Sequence, residues 1–177
     1  MCIVNGPRIP LETAEVNAIS VRDRLLPFCE KFMTVGSVRR KTPDCGDLDF
    51  VVLPTLGLTS KDLVAPFRKF CTVHASGKQN IHMTSKRSGT GIDIFVAKRE
   101  SADLFETFPS NWWTLVVCRT GSREHNIKIC QAAERLGMKW KPYEGIIAAD
   151  GNLIPIENEQ HLFELVELPF LEPEDRR

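Results

Sequence analysis

No stretch of the 177 residues approaches the ~20 apolar residues that a membrane-crossing helix needs. The first residues, Met1-Cys2-Ile3-Val4-Asn5-Gly6-Pro7-Arg8, lack the charged-then-apolar plan of a secretory signal. Both absences lead to the expectation of an intracellular protein without a membrane partner. Six cysteines (Cys2, Cys29, Cys45, Cys71, Cys118 and Cys130) are scattered, with no Cys-x-x-Cys and no histidine at zinc spacing. That argues against a zinc or dithiol motif and predicts free thiols. Internal repeats and low-complexity segments are missing too. Net charge is also absent, 23 basic residues facing 23 acidic ones.

The zero balance hides a polarised chain. Residues 66–99 hold seven Lys and Arg against Asp93 alone, and residues 119–141 hold six against Glu124 and Glu134. Residues 142–177 carry nine acids and only two arginines. Such a chain can present a basic face to phosphates while staying neutral overall, although solvated helix faces produce similar runs. With 42% hydrophobic and 26% charged residues, the composition is that of an ordinary globular protein with room for two lobes. A monomer is expected.

Residues 36–49 carry the most chemistry: Gly36-Ser37-Val38-Arg39-Arg40, then Gly46-Asp47-Leu48-Asp49 running into Phe50-Val51-Val52-Leu53. The apolar run predicts a buried strand opened by Asp47 and Asp49, whose side chains share one face because strand residues alternate. Two crowded carboxylates repel unless a cation sits between them, and hard oxygen ligands suit Mg²⁺. A Gly-Ser turn offers N–H groups and a hydroxyl to an anion, and arginine binds phosphate through a two-pronged donor fork. The alternative is a hairpin with a solvated arginine pair. Asp93 lies inside Ile92-Asp93-Ile94-Phe95-Val96. A charge in so apolar a strand needs a partner or a metal.

The combined spacing, Gly-Ser-x-Arg-Arg then Gly-Asp-x-Asp before an apolar strand, resembles the nucleotidyltransferase signature, in the fullest form that of the family X DNA polymerases. Three further segments carry the resemblance to about residues 13–176: Asp93, Thr120-Gly121-Ser122 with Asn126, and the closing run from Asp150 to Arg176. It implies an α+β fold: a catalytic palm with a mixed sheet flanked by helices over 1–108, and a small α+β nucleotide-binding lobe over 109–177. It also implies that Asp47, Asp49 and Asp93 are the catalytic, metal-holding acids, binding two Mg²⁺ ions, with Mn²⁺ as a substitute. Gly36, Ser37, Arg40 and Gly46 would cradle the triphosphate. Gly121 and Ser122 would line the sugar pocket, and Asn126 would touch the base edge of the incoming nucleotide. Partners would be gapped or primer-template DNA and deoxynucleoside triphosphates, in short-gap repair. The chain resembles the minimal viral members, which have only palm and nucleotide-binding lobe. Departures are Gly91 and Cys130 where relatives carry arginines, and Cys118-Arg119 where they carry two aromatics. Two other readings stay open: a nucleotidyltransferase acting on a small molecule, protein or RNA end, and a non-catalytic module that binds DNA ends.

Apolar spacing predicts a helix from Thr13, as its N-cap, to Phe32, with Pro27 kinking it or splitting its last turn. A second helix is expected from a Thr59 capping box to about Cys71, then strands at 71–75, 81–84 and 91–97. A third, capped by Ser122, should bury Ile127, Cys130, Ala133 and Leu136 and end at Gly137.

Overall fold

The computed structural model describes residues 7–102 and 107–176, so the expected free thiol of Cys2 lies outside the described residues. The other five cysteines are free. No described helix is long and apolar enough to cross a membrane. The chain divides into two units, Met1–Val96 and Ala97–Arg177.

The first unit runs β1 (Ile9–Pro10), α1 (Leu11–Leu25), a 3-10 turn (Leu26–Phe28), β2 (Cys29–Thr34) and α2 (Gly36–Arg39). Then come β3 (Asp44–Cys45), β4 (Asp47–Pro54), α3 (Ser60–Val64), a 3-10 turn (Ala65–Phe67), β5 (Cys71–Ser76), β6 (Asn80–Ser85) and β7 (Gly91–Val96). Strands β1 and β3 pair with each other, and the rest form one sheet in the order β2-β4-β7-β6-β5. Only β4 and β7 are parallel, so the sheet is mixed, as the α+β expectation requires.

The core of this unit lies on one face of that sheet. Ala14, Ala18, Val21 and Leu25 of α1, with Leu63, Val64 and Phe67, pack on Leu48, Phe50, Val52, Ile81, Met83, Ile92 and Ile94. Those strand residues are the even positions of β4 and β7 and the odd ones of β6. Register follows from that pattern, because a slip of one residue would turn Asp47 and Asp49 into the core.

Both expected helices of this unit are shorter than their apolar spacing suggests, and a proline accounts for each. Helix α1 begins at Leu11 without a side-chain cap, so Thr13 is interior. It gives way at Leu26 to the 3-10 turn holding Pro27, whose missing N–H ends the ladder. Cys29–Thr34 then pairs with β4, setting Phe32 opposite Val52, rather than continuing the helix to Phe32. The Thr59 capping box does form: Asp62 Oδ2 accepts from Thr59 N and Oγ1, each at 2.8 Å. Pro66 then turns the chain, and Cys71 already belongs to β5.

The second unit holds β8 (Ser101–Ala102), β9 (Thr107–Phe108), α4 (Trp112–Thr120), α5 (Arg123–Arg135), β10 (Lys139–Lys141), β11 (Gly145–Ile147), β12 (Leu153–Ile154), α6 (Glu159–Leu165) and a 3-10 turn (Pro173–Asp175). Strands β10, β11 and β12 form a small antiparallel sheet, and β8 pairs with β9. Ser122 caps α5 as expected, its Oγ accepting from His125 N at 3.2 Å, and Gly137 follows the helix at φ 73°.

The buried stripe of α5 is the expected one only at Ala133 and, in part, Cys130. His125, Ile129, Ala132 and Ala133 face inward, whereas Ile127 and Leu136 are 46% and 38% exposed. The spacing 125/129/132/133 is as helical as 127/130/133/136, so periodicity alone could not choose between them. His125 belongs to the inward stripe and stacks on Phe163, ring centroids 5.3 Å apart. Arg176 is buried as well. Its Nη1 donates to Glu159 Oε1 at 3.1 Å, its Nε donates to Leu171 O at 2.9 Å, and the guanidinium lies over Phe163 and Phe170.

Candidate active site

Asp47 and Asp49 stand on the sheet face opposite α1 and α3, with Leu48 and Phe50 buried on the other side. Parallel pairing sets Asp49 beside Asp93 and Asp47 beside Gly91. One carboxylate oxygen from each of the three acids lies within 4.8 Å of the others. All three residues are half-buried, whereas from Val51 to Leu53 β4 is buried on both faces. The acids therefore occupy the open end of an otherwise enclosed strand. Burial, and after it the charge of Asp93, pushes the Asp47 carboxyl above its usual range, while His82, Arg8 and Arg40 pull it down. Three acceptor-only groups in so small a space fit a hard divalent cation, which would relieve their repulsion.

Gly36 has a reason to be glycine that the turn reading did not supply. At φ +64° a Cβ would fall onto Asp49 Oδ2 and lie 2.8 Å from Asp49 Cγ. The chain thus passes against the carboxylate, and only glycine permits both the conformation and the approach. Val35 N donates to Asp49 O at 2.9 Å, tying the turn to β4. Residues 36–39 form one helical turn rather than a hairpin. The Ser37 hydroxyl oxygen is buried with no hydrogen-bond partner among the described residues, and Ser37 O accepts from Thr42 N and Oγ1. Arg40 closes this turn, and its charge reaches Asp47. Gly46 links β3 to β4, and a Cβ there would sit 3.8 Å from Arg8 Nη1.

Two residues at this end of the sheet escaped sequence reasoning. Arg8 donates from Nη2 to Asp44 O at 2.6 Å and contributes positive charge at Asp47. Nothing local marks it, since it lies 36 residues from its partner. His82 is paired across the ladder with Asp93, and its Nδ1 is hydrogen-bonded to Asp93 Oδ1. Alternation within Ile81-His82-Met83-Thr84 could have placed it on the polar face, but only strand order brings that face to Asp93. Lys86, in the loop between β6 and Gly91, donates to the carbonyls of Arg68 and Lys69. Arg87, next to it, is exposed.

Gly121, Ser122 and Asn126 belong to the second unit and are described within it. Gly121 closes α4 at φ 72°, and Ser122 N donates to Arg176 O at 3.3 Å. The Gly121–Ser122 peptide is cis. Asn126 donates from Nδ2 to Cys118 O at 2.8 Å, and its Oδ1 is buried without a partner among the described residues. Arg119 donates to the Tyr143 hydroxyl at 2.9 Å and lies over that ring. Cys130 packs against the core of this unit, its thiol raised chiefly by burial.

The crystal structure of Leishmania infantum polymerase beta, a ternary P/T complex, superposes with a TM-score of 0.77 over 98% of this chain and 78% of that one, at 18% identity. The fold is that of polymerase beta. A ternary gap complex of the same Leishmania infantum polymerase gives a TM-score of 0.76 over 96% of this chain and 71% of that one, again at 18% identity. Residues 115–177 match the family model of the DNA polymerase beta thumb. The DNA polymerase/3'-5' exonuclease PolX of Bacillus subtilis is 26% identical over 172 residues. That alignment covers 96% of this chain but only 28% of the relative's length. The likeness to polymerase beta therefore lies in the fold along nearly the whole chain and in the family-model match over residues 115–177.

Proposed function

We propose that the chain is a DNA-directed DNA polymerase of family X, adding deoxynucleotides to a primer 3′ end in short-gap repair inside the cell. The observation that carries the reading is the triad, three carboxylates converging within 4.8 Å at the open end of a sheet, beside a glycine turn packed on Asp49. Asp47, Asp49 and Asp93 would hold the cations. Bound Mg²⁺ or Mn²⁺ would supply the Lewis acidity that stabilises the entering and leaving oxygens of an in-line displacement. The protein's own contribution is position and charge, as phosphoryl transfer demands.

Ser37, Arg40 and the Gly46 backbone are assigned to the β- and γ-phosphates. The unpartnered Ser37 hydroxyl supports this, because a buried hydroxyl without a partner is costly in the absence of a ligand. In the second unit Gly121 and Ser122 are assigned to the sugar, and Asn126 to the base edge, with its unpartnered Oδ1 as the available acceptor. Residues 1–108 would then act as palm and 109–177 as nucleotide-binding lobe. A nucleotidyltransferase acting on small molecules or RNA ends could use the same acids, but the match of 115–177 to a polymerase beta thumb favours DNA.

The test is primer extension on gapped, nicked and single-stranded DNA with each nucleotide separately, for wild type and Asp93→Ala. Wild type should extend the gapped primer, and D93A should lose at least about 10²–10³ in rate while keeping its fold. Undiminished incorporation by D93A sinks the assignment. A wild type that binds no DNA at low salt supports the small-molecule alternative.

A further inference from the structure

We infer that His82 is the positioning residue of Asp93, holding one carboxylate oxygen so that the other is presented to the metal. The inference rests on the proposed reading of the triad. Asp93 lies between two strands, paired with Asp49 of β4 on one side and with His82 of β6 on the other. All three side chains therefore project from one sheet face, His82 at the triad's outer edge. The His82 Nδ1 to Asp93 Oδ1 hydrogen bond is the only one that Asp93 makes through its side chain among the described residues. With the Nδ1–H tautomer of the imidazole, the ring nitrogen donates and the carboxylate oxygen accepts.

The pair is largely shielded, with His82 and Asp93 side chains 17% and 20% exposed. A second histidine lies beside the imidazole: the His74 and His82 ring centroids are 5.7 Å apart, the rings tilted by 45°. His74 is in turn held by Thr84, whose Oγ1 is 2.8 Å from His74 Nε2. Residues of β5 and β6 thus flank the ring that is bonded to Asp93. Outer partners of this kind orient metal ligands, and their loss typically costs about 10–100-fold in metal affinity or activity.

The experiment uses the whole chain and Mn²⁺ as probe, with free ion counted by electron paramagnetic resonance for wild type, D93A, His82→Leu and His82→Asn. H82L should bind Mn²⁺ about 10–100-fold more weakly than wild type while melting at a similar temperature. Asn places an N–H near the position of Nδ1, so H82N should recover at least part of the lost affinity. Should H82L fail to fold, His82→Gln replaces it, keeping bulk and polarity but moving the N–H outward, with the same weakening expected. Mn²⁺ binding by the leucine or glutamine variant as tight as wild type overturns the inference and leaves the triad reading intact. So does an H82N protein as weak as H82L, which would assign the effect to ring packing. A wild type that binds Mn²⁺ no better than D93A overturns the triad reading, and the inference with it.

Discussion

Both units carry ionic groups at buried or half-buried positions, and they treat them in opposite ways. In the first, Asp47, Asp49 and Asp93 crowd one another at an open sheet face, and the Asp47 carboxyl is raised by burial and by Asp93. In the second, Glu159 is almost fully buried, yet it accepts from an equally buried Arg176 that two phenylalanine rings enclose. Beside that pair, His125 is driven down to about 4, so it stays neutral near pH 7. The first arrangement keeps three like charges close together even with His82, Arg8 and Arg40 nearby, which is tolerable where a bound cation would neutralise them. The second settles its charges within the chain, so its ionic groups serve the fold.

The largest effect should come from breaking the open side of this contrast. Asp47→Asn is expected to lower nucleotide incorporation by at least about 10²–10³. It should nevertheless melt at or above the wild-type temperature in metal-free buffer at pH 7, because it removes a disfavoured charge. A D47N protein that is both active and less stable would mean that Asp47 is a structural acid.

Arg176→Met should do the reverse. It strands Glu159 without its cation and is expected to cost about 3–5 kcal/mol, read from the denaturant midpoint. Removing both partners, in R176M/E159L, should restore most of that loss, since a well-packed apolar pair can replace a buried ion pair. If the double variant is no better than the single, the phenylalanine stacking of Arg176 matters more than its charge.

A smaller effect concerns pH. The folded pKa of His125 is lowered first by burial, then by Arg176 and Lys128, with Glu159 opposing. Its stabilising contribution is complete above the unfolded value of 6.5 and is lost as pH falls from there toward about 4. The loss should approach at most about 3 kcal/mol. His125→Phe, which keeps a ring against Phe163, should flatten stability between these pH values. An unchanged pH profile in H125F would place the acid sensitivity elsewhere.

The acids at 47 and 49 were legible because strand alternation is local: the polar positions of Asp-Leu-Asp share a face as soon as Phe50–Leu53 is buried. The Thr59 and Ser122 caps were legible for the same reason, since each cap spans three or four residues. Helix ends were less so, because Pro27 and Pro66 signal a break without saying whether a helix resumes. The inward face of α5 was misjudged at Ile127 and Leu136 because two stripes fit the same period, and the choice rests on distant contacts such as that of His125 with Phe163, 38 residues on.

Sequence alone therefore determined the chemistry on offer: three aspartates, a Gly-Ser turn with arginines, and a capped helix after Thr-Gly-Ser. Those features depend on neighbours within a few residues, where backbone geometry leaves few options. Tertiary structure alone decided which groups meet. Asp49 and Asp93 meet because β4 and β7 lie side by side in parallel. His82 reaches Asp93 because β6 pairs on the other side, and Gly36 must be glycine because Asp49 fills the space where its Cβ would go. Arg8 joins the same end because β1 pairs with β3. Strand order and register answer to the packing of the whole sheet on α1 and α3, and that sum over distant contacts is not written in any short run of residues.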